Sequence, residues 1–185
     1  AEYFHEYADD IKKRFLKKGD FVVEMGSNDG IMLSFFKDEH PILGVDPATN
    51  VVVRALKRGI PTLSEFFNEH IAQLIVREFG KAKVFVANSC VAHLNDPRNL
   101  MRGVKAILAD DGVFAAEINY WGAMVKNTNY SLIYHDHFSY FSFSAWHNFL
   151  KQFGFQLVDA IVTEAQGGSM RMTIARTGKV KNKAG

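Results

Sequence analysis

The densest concentration of reactive side chains lies at residues 133–142, Ile-Tyr-His-Asp-His-Phe-Ser-Tyr-Phe-Ser. Tyr134, His135, Asp136, His137 and Tyr140 fall within seven positions. An imidazole with an unperturbed pKa near ~6.5 can act as a base around neutrality with little tuning. A nearby carboxylate can orient it and favour its charged form. A tyrosine hydroxyl can hydrogen-bond a carbonyl or hydroxyl oxygen. The combination reads as proton-transfer machinery. Two other readings stay open. His135, Asp136 and His137 could chelate a metal such as zinc, because alternate side chains of an extended segment share a face. A third and fourth ligand are not evident, and no metal is expected. Alternatively, this is an aromatic structural loop whose histidines are simply hydrogen-bonded.

A second constellation lies near the N-terminus. The apolar run from Phe21 ends in Glu24, and a small, polar turn follows: Gly26, Ser27, Asn28, Asp29, Gly30. A helix-like pattern then begins at Ile31. A strand, a turn and a helix N-terminus would expose backbone N–H groups and let a ligand approach the main chain. The next apolar run ends in Asp46, followed by Pro47. A carboxylate there could accept hydrogen bonds from both hydroxyls of a ribose. A dinucleotide site wants G-x-G-x-x-G, so that the pyrophosphate can reach the helix. Here the glycines are Gly26 and Gly30, with Asn28 where a central glycine is expected. Asn tolerates a left-handed backbone, but its side chain fills space a pyrophosphate needs. S-adenosylmethionine carries no phosphate and suits this turn better. The stretch resembles motif I of the class I methyltransferases, with Glu24 holding the cofactor's amino acid end.

These residues need a scaffold that brings them together. The periodicity predicts an amphipathic helix over 1–18, strand 21–25, helix 30–38, strand 42–46, helix 49–58 and a short strand near Thr62. Helix 69–79, strand 83–88, helix 97–108 with Pro97 in its first turn, strand 113–118 and helix 144–153 follow. Two β-rich runs, 156–163 and 170–176, flank a Gly-rich link and read as an antiparallel hairpin. Such alternation predicts an α/β fold: a Rossmann-like, seven-stranded, mostly parallel sheet with an antiparallel C-terminal hairpin and helices on both faces. Residues 119–143 break the periodicity. A structureless loop of that length is usually functional. It follows the fifth strand, so it starts at the carboxyl edge, where open α/β sheets bind ligands. The turn and this loop should face each other.

Composition sets outer limits. A chain of 185 residues, 48% hydrophobic, is expected to be one domain, with a tail over 177–185. Net charge of +2 offers no electrostatic case for nucleic acid or an anionic membrane. The single cysteine, Cys90, excludes an internal disulfide and a multi-cysteine zinc site. No apolar stretch approaches the roughly 20 residues that span a bilayer. No signal peptide is visible, and a cytoplasmic location is expected. The missing initial Met suggests a processed or excised chain. Most of the 16 phenylalanines should fill the core.

The string IYHDHFSYFS is similar to the signature of the sugar C-methyltransferases that act on nucleotide-linked deoxysugars. The resemblance extends to EMGSNDGIML at 24–33, GVDPATN at 44–50, ANSCVAHLNDPRNL at 87–100, DDGVFAAEINY at 110–120 and QGGSMRM at 166–172. It implies S-adenosylmethionine as cofactor, S-adenosylhomocysteine as product and a small-molecule, nucleotide-sugar acceptor. It also implies that His137 is the base that removes a proton next to a sugar ketone, with Tyr134 and Asp136 as neighbours and His135 beside them. The family usually has Glu where Asp46 and Asp136 stand. O- or N-methylation of another small molecule, or a non-catalytic cofactor-binding module, are the alternatives. Asn88, ending the fourth strand, could contact the cofactor or simply form a turn. Phe66 or Phe67 could pack on adenine or fill the core. Glu117, Asn119, Tyr120, Tyr140 and Arg171 are candidates for binding the acceptor; Arg171 could grip an anionic group or pair with an acid. His93 could line the site. Members of the family carry a cysteine-rich zinc domain before this region and a further domain after it. The chain is therefore expected to be the central catalytic core of a longer protein or a minimal relative.

Overall fold

A computed structural model describes residues 2–180. Ala1 and 181–185, which include Lys181 and Lys183 of the tail, lie outside the described residues. Seven strands form one sheet: β1 (Val22–Met25), β2 (Ile42–Val45), β3 (Thr62–Leu63), β4 (Ala82–Asn88), β5 (Leu108–Asn119), β6 (Phe155–Thr163) and β7 (Ser169–Arg176), ordered 3-2-1-4-5-7-6. The pairs among β1 to β5 are parallel, and β7 alone runs against its neighbours β5 and β6. The expected fold is thus the observed one.

Helices cover both faces. Helix α1 (Glu2–Phe15) buries Tyr7, Ala8 and Ile11, one stripe at helical spacing. Together with α2 (Thr49–Lys57) and residues 32–36 it covers Val22, Val84, Val86, Val113 and Ala115. On the opposite face α3 (Glu69–Phe79), α4 (Pro97–Ile107) and α6 (Phe143–Lys151) cover Val23, Phe85, Phe114 and Ile174. Local chemistry sets where these helices start. Asn68, Asp96 and Ser142 each accept a backbone N–H of the first turn, and Pro97 opens α4 as its position predicts.

Two expectations are corrected. The expected helix over 30–38 is a run of turns with only a 3-10 turn at Leu33–Phe35. Its amides bond mostly three residues back, Phe35 to Met32 and Phe36 to Leu33. The Ser34 hydroxyl takes the Ile31 carbonyl at 2.7 Å, competing with the helical ladder. Burial of Met32, Leu33 and Phe36 holds the tight path. The excursion over 119–143 is not structureless either. It holds the short helix α5 (Trp121–Lys126) and a 3-10 turn at Tyr130–Leu132, and it closes where Tyr120 bridges to Phe141.

Candidate active site

The carboxyl ends of β1, β2 and β4 enclose a cleft lined by Met25, Gly26, Asp46, Pro47, Phe66, Phe67, Cys90, His93 and Leu94. Its floor is the turn after β1. Gly26 has φ +67, and a Cβ there would sit 2.9 Å from the Cβ of Cys90, so only glycine lets the main chain lie this close. Asn28 adopts φ +50, the left-handed conformation its residue type allows. The exposed N–H groups expected of this corner are not free. Gly26 and Ser27 donate to Val45, Asn28 to the Asp46 carboxylate, Asp29 to the Asn28 side chain and Gly30 to Ser27. With no helix N-terminus and no spare amides, the turn has nothing to offer a phosphate. The polar groups left open beside it are carboxylates.

Glu24 is one of them. It is buried, accepts from the Asn88 amide at 3.4 Å through Oε1, and leaves Oε2 without a partner. Burial pushes its carboxyl well above the ordinary range, and the charge of Asp46 adds to this, while the Asn88 hydrogen bond pulls the other way. A buried acid with an open oxygen fits a cationic amine. Asp46 accepts from Asn28 N at 3.0 Å and Ala48 N at 2.9 Å, one bond per oxygen, which leaves lone pairs for a diol. Phe66, 72% exposed, stands at the mouth, whereas Phe67 packs on Phe85 in the core. Ser27 is buried against Gly44, away from the cleft. Burial of the Cys90 thiol pushes it up to about 12, and the nearby Glu24 charge adds to this.

The histidine-bearing segment lies on the same rim. Phe138 N donates to Ala92 O at 2.9 Å, and His93 Nδ1 bonds the Asp136 carbonyl at 2.8 Å. The ring of His93, which lines the cleft, lies 4.8 Å from that of His137. His137 is buried. Its Nδ1 is 2.9 Å from the Leu132 carbonyl, which can only accept, so Nδ1 carries the proton. The Nε2 lone pair then accepts the Tyr134 hydroxyl at 3.0 Å. Asp136 is not the partner expected for His137. Its carboxylate turns outward to His135 Nε2 at 3.1 Å, and His135 is the more exposed of that pair. The imidazoles of His135 and His137 thus make separate contacts and do not converge for chelation. Among the described residues no three His, Cys, Asp or Glu side chains gather as metal ligands.

The acceptor candidates divide between the two faces. Glu117 on β5 and Arg171 on β7 are register partners and form a part-buried ion pair at 2.9 Å, in which Glu117 is the buried member. The Tyr3 hydroxyl donates to the same carboxylate, and the Arg171 guanidinium lies over the rings of Tyr7 and Tyr3, 3.7 and 4.8 Å from their centres. Arg171 therefore pairs with an acid, one that is buried while the guanidinium itself is half-buried. Its pKa rises because Glu117 outweighs the opposing effect of burial. Asn119 donates to the Gln166 side chain at 3.2 Å. Tyr140 bonds the Leu132 carbonyl and presents its ring 6.0 Å from His137. Tyr120 folds back over Gly122 and packs with Phe141 on the α3–α4–α6 side.

The chain matches the methyltransferase domain family over residues 1–160. It belongs to that family. It is 36% identical over 161 residues to the C-methyltransferase NovU of Streptomyces niveus, a match covering 86% of this chain and 38% of that protein. The chain thus spans well under half the length of this curated relative. Among solved structures, the magnesium protoporphyrin IX methyltransferase of Synechocystis with bound SAH superposes with a TM-score of 0.70 at 12% identity, over 95% of this chain and 83% of that one. An S-adenosylmethionine-dependent methyltransferase of Clostridium acetobutylicum gives 0.70 at 11%, over 96% and 92%. At these identities the structures show the shared fold.

Residues at this rim that the sequence did not single out are Tyr3 and Tyr7, which flank Arg171, Ser89 and Gln166, which bond each other, and the Leu132 carbonyl. A signal existed for the first two: they are four apart on α1 and so lie on one helical face. A backbone carbonyl that sets a tautomer leaves no trace in side-chain spacing.

Proposed function

We propose that the chain is an S-adenosylmethionine-dependent C-methyltransferase domain whose acceptor is a carbon next to the ketone of a nucleotide-linked sugar. One observation carries the acid–base part. His137 is held as the Nδ1–H tautomer, with Nε2 facing the Tyr134 hydroxyl, beside a histidine that lines the cleft. The similarity to a C-methyltransferase supports carbon as the methylated atom.

Bound S-adenosylmethionine would supply an electrophilic methyl group. Glu24 would hold its amine through the open Oε2, Asp46 its ribose hydroxyls, and Phe66 would cover its adenine. His137 Nε2 takes the acidic C–H proton. The C–H electron pair moves into the carbonyl, whose oxygen becomes an enolate. Tyr134, 42% exposed where His137 is buried, turns its O–H to that oxygen and stabilises the developing charge. The Leu132 carbonyl steadies the imidazolium that results.

Calorimetric titration with S-adenosylhomocysteine tests the cofactor reading; no heat from folded protein sinks it. Exchange of the α-proton of a nucleoside-diphosphate-linked keto-deoxyhexose into deuterated water tests the acceptor reading. Methyl transfer without such exchange would favour oxygen or nitrogen as the acceptor atom.

A further inference from the structure

We infer that Gln166 is an acceptor-binding residue of this site, its carboxamide recognising a neutral oxygen, a hydroxyl or the ketone, of the sugar. The inference rests on the keto-sugar reading above and extends it to a residue on a third segment of the rim. Three side chains from the ends of different elements meet here. Asn119, at the end of β5, donates to Gln166 Oε1 at 3.2 Å, and Gln166 Nε2 donates to Ser89 Oγ at 3.2 Å. Ser89 directly follows Asn88, and its own amide donates to the Glu117 carbonyl at 2.8 Å. The trio therefore lies between the candidate cofactor carboxylate Glu24 and the start of the histidine-bearing excursion.

The backbone gives a second reason. Gln166 has φ +51 and ψ +32, and Ser89 has φ +54. Gly or Asn would adopt the left-handed region with less strain, and neither Gln nor Ser is a residue that visits it freely. Strain of this kind collects at ligand-binding positions. The hairpin tip is held by close packing. Gly168, φ +124, lies so tightly on Ala123 of α5 that a Cβ would overlap it, and the Asn127 amide donates to the Gly167 carbonyl at 3.2 Å. With the tip held, the Gln166 side chain is directed back across the ends of β4 and β5. Its exposed amide keeps one N–H and one lone pair beyond the bonds it makes. That pairing of donor and acceptor matches a sugar hydroxyl, and the N–H alone matches a ketone.

The test uses three variants, because the left-handed backbone lets fold and recognition be separated. Gln166→Gly removes the amide and eases the backbone. Gln166→Asn keeps an amide, one methylene shorter, in a residue that tolerates this φ. Gln166→Ala removes the amide and keeps the strain. The readout is the half-saturating concentration of a nucleoside-diphosphate-linked keto-deoxyhexose in α-proton exchange, measured on the full chain loaded with S-adenosylhomocysteine. Gln166→Gly should raise it about five- to tenfold, the worth of a hydrogen bond or slightly more. Its melting temperature should stay at or above the parent's and its S-adenosylhomocysteine affinity should not change. Gln166→Asn should fall between Gly and parent. An unchanged half-saturation in both Gly and Asn variants, with exchange intact in the parent, overturns the inference alone. No exchange in the parent overturns the acceptor reading, and the inference falls with it.

Discussion

At the scale of single residues, the proposed mechanism separates two jobs that one side chain could have shared. In it His137 carries the proton and Tyr134 meets the oxygen. His137→Gln should lower α-proton exchange by about 10²–10⁴, the usual worth of a positioned base, and leave S-adenosylhomocysteine affinity unaltered. Tyr134→Phe should cost about 10²–10³, as loss of one donor to a developing oxyanion does. Rapid-quench NMR of the keto sugar measures both, and equal exchange in Tyr134→Phe and parent would remove the tyrosine from the chemistry. Glu24 makes a different prediction. Its folded-state pKa lies above the unfolded value, so the folded state holds its proton to higher pH. The free protein then loses stability as pH rises from the ordinary carboxylate range through that raised value. Glu24→Gln cannot ionise, so it should flatten this slope and gain on the order of 1–3 kcal/mol at the alkaline end, seen in urea titrations at several pH values. The same variant should bind S-adenosylhomocysteine more weakly. Parent binding should release a proton from Glu24 at pH values below its raised pKa, which calorimetry in buffers of different ionisation enthalpy would detect. The types of these residues and their strings were readable from the sequence. The direction of each carboxylate was not: Asp136 sits one residue from His137 and still faces solvent, because its own carbonyl, not its side chain, is what His93 holds.

At the scale of elements, alternation of apolar runs was enough to find all seven strands, though β5 begins at Leu108, directly after α4 and well before the expected residue 113, because no turn separates the two. It failed where local bonds compete. Residues 31–36 have the apolar spacing of a helix, but Ser34 bonds back to Ile31 and three buried side chains crowd one short stretch. Helix α5 was invisible because six residues hold less than two turns of periodicity. The helices that cap the rim can be tested apart from its chemistry. Asp96 accepts the Asn99 amide at 3.1 Å, so Asp96→Ala should cost about 0.5–2 kcal/mol of stability without moving cofactor affinity. Trp146 behaves differently. It is fully buried on α6 and stacks on Phe141 at 4.8 Å, and Phe141 bridges to Tyr120 at the two ends of the excursion. Trp146→Ala should therefore cost about 3–5 kcal/mol, read from chemical denaturation, and also slow exchange, because the loop that carries His137 loses its closing contact.

At the scale of the whole molecule, one contact ties the first helix to the last strand on the α1 face of the sheet. Arg171 is flanked by Tyr3 and Tyr7 of α1 and paired with Glu117 of β5, so three distant parts of the chain meet at one guanidinium. No string in the sequence announces this, because the partners are more than fifty residues apart in each case. It decides what Arg171 can do. A guanidinium already stacked and paired has little left for a substrate anion, and its main effect is to keep a buried carboxylate compensated. Arg171→Ala should leave the Glu117 carboxylate without its counter-charge, with only the Tyr3 hydroxyl still donating to it, at a cost of about 3–5 kcal/mol. Glu117→Gln in the Arg171→Ala background should recover part of the stability, because the uncompensated charge is gone. Denaturation curves of parent, single and double variants decide the point: an Arg171→Ala penalty that Glu117→Gln does not relieve would mean the arginine is held for its packing on the two tyrosines and not for its charge.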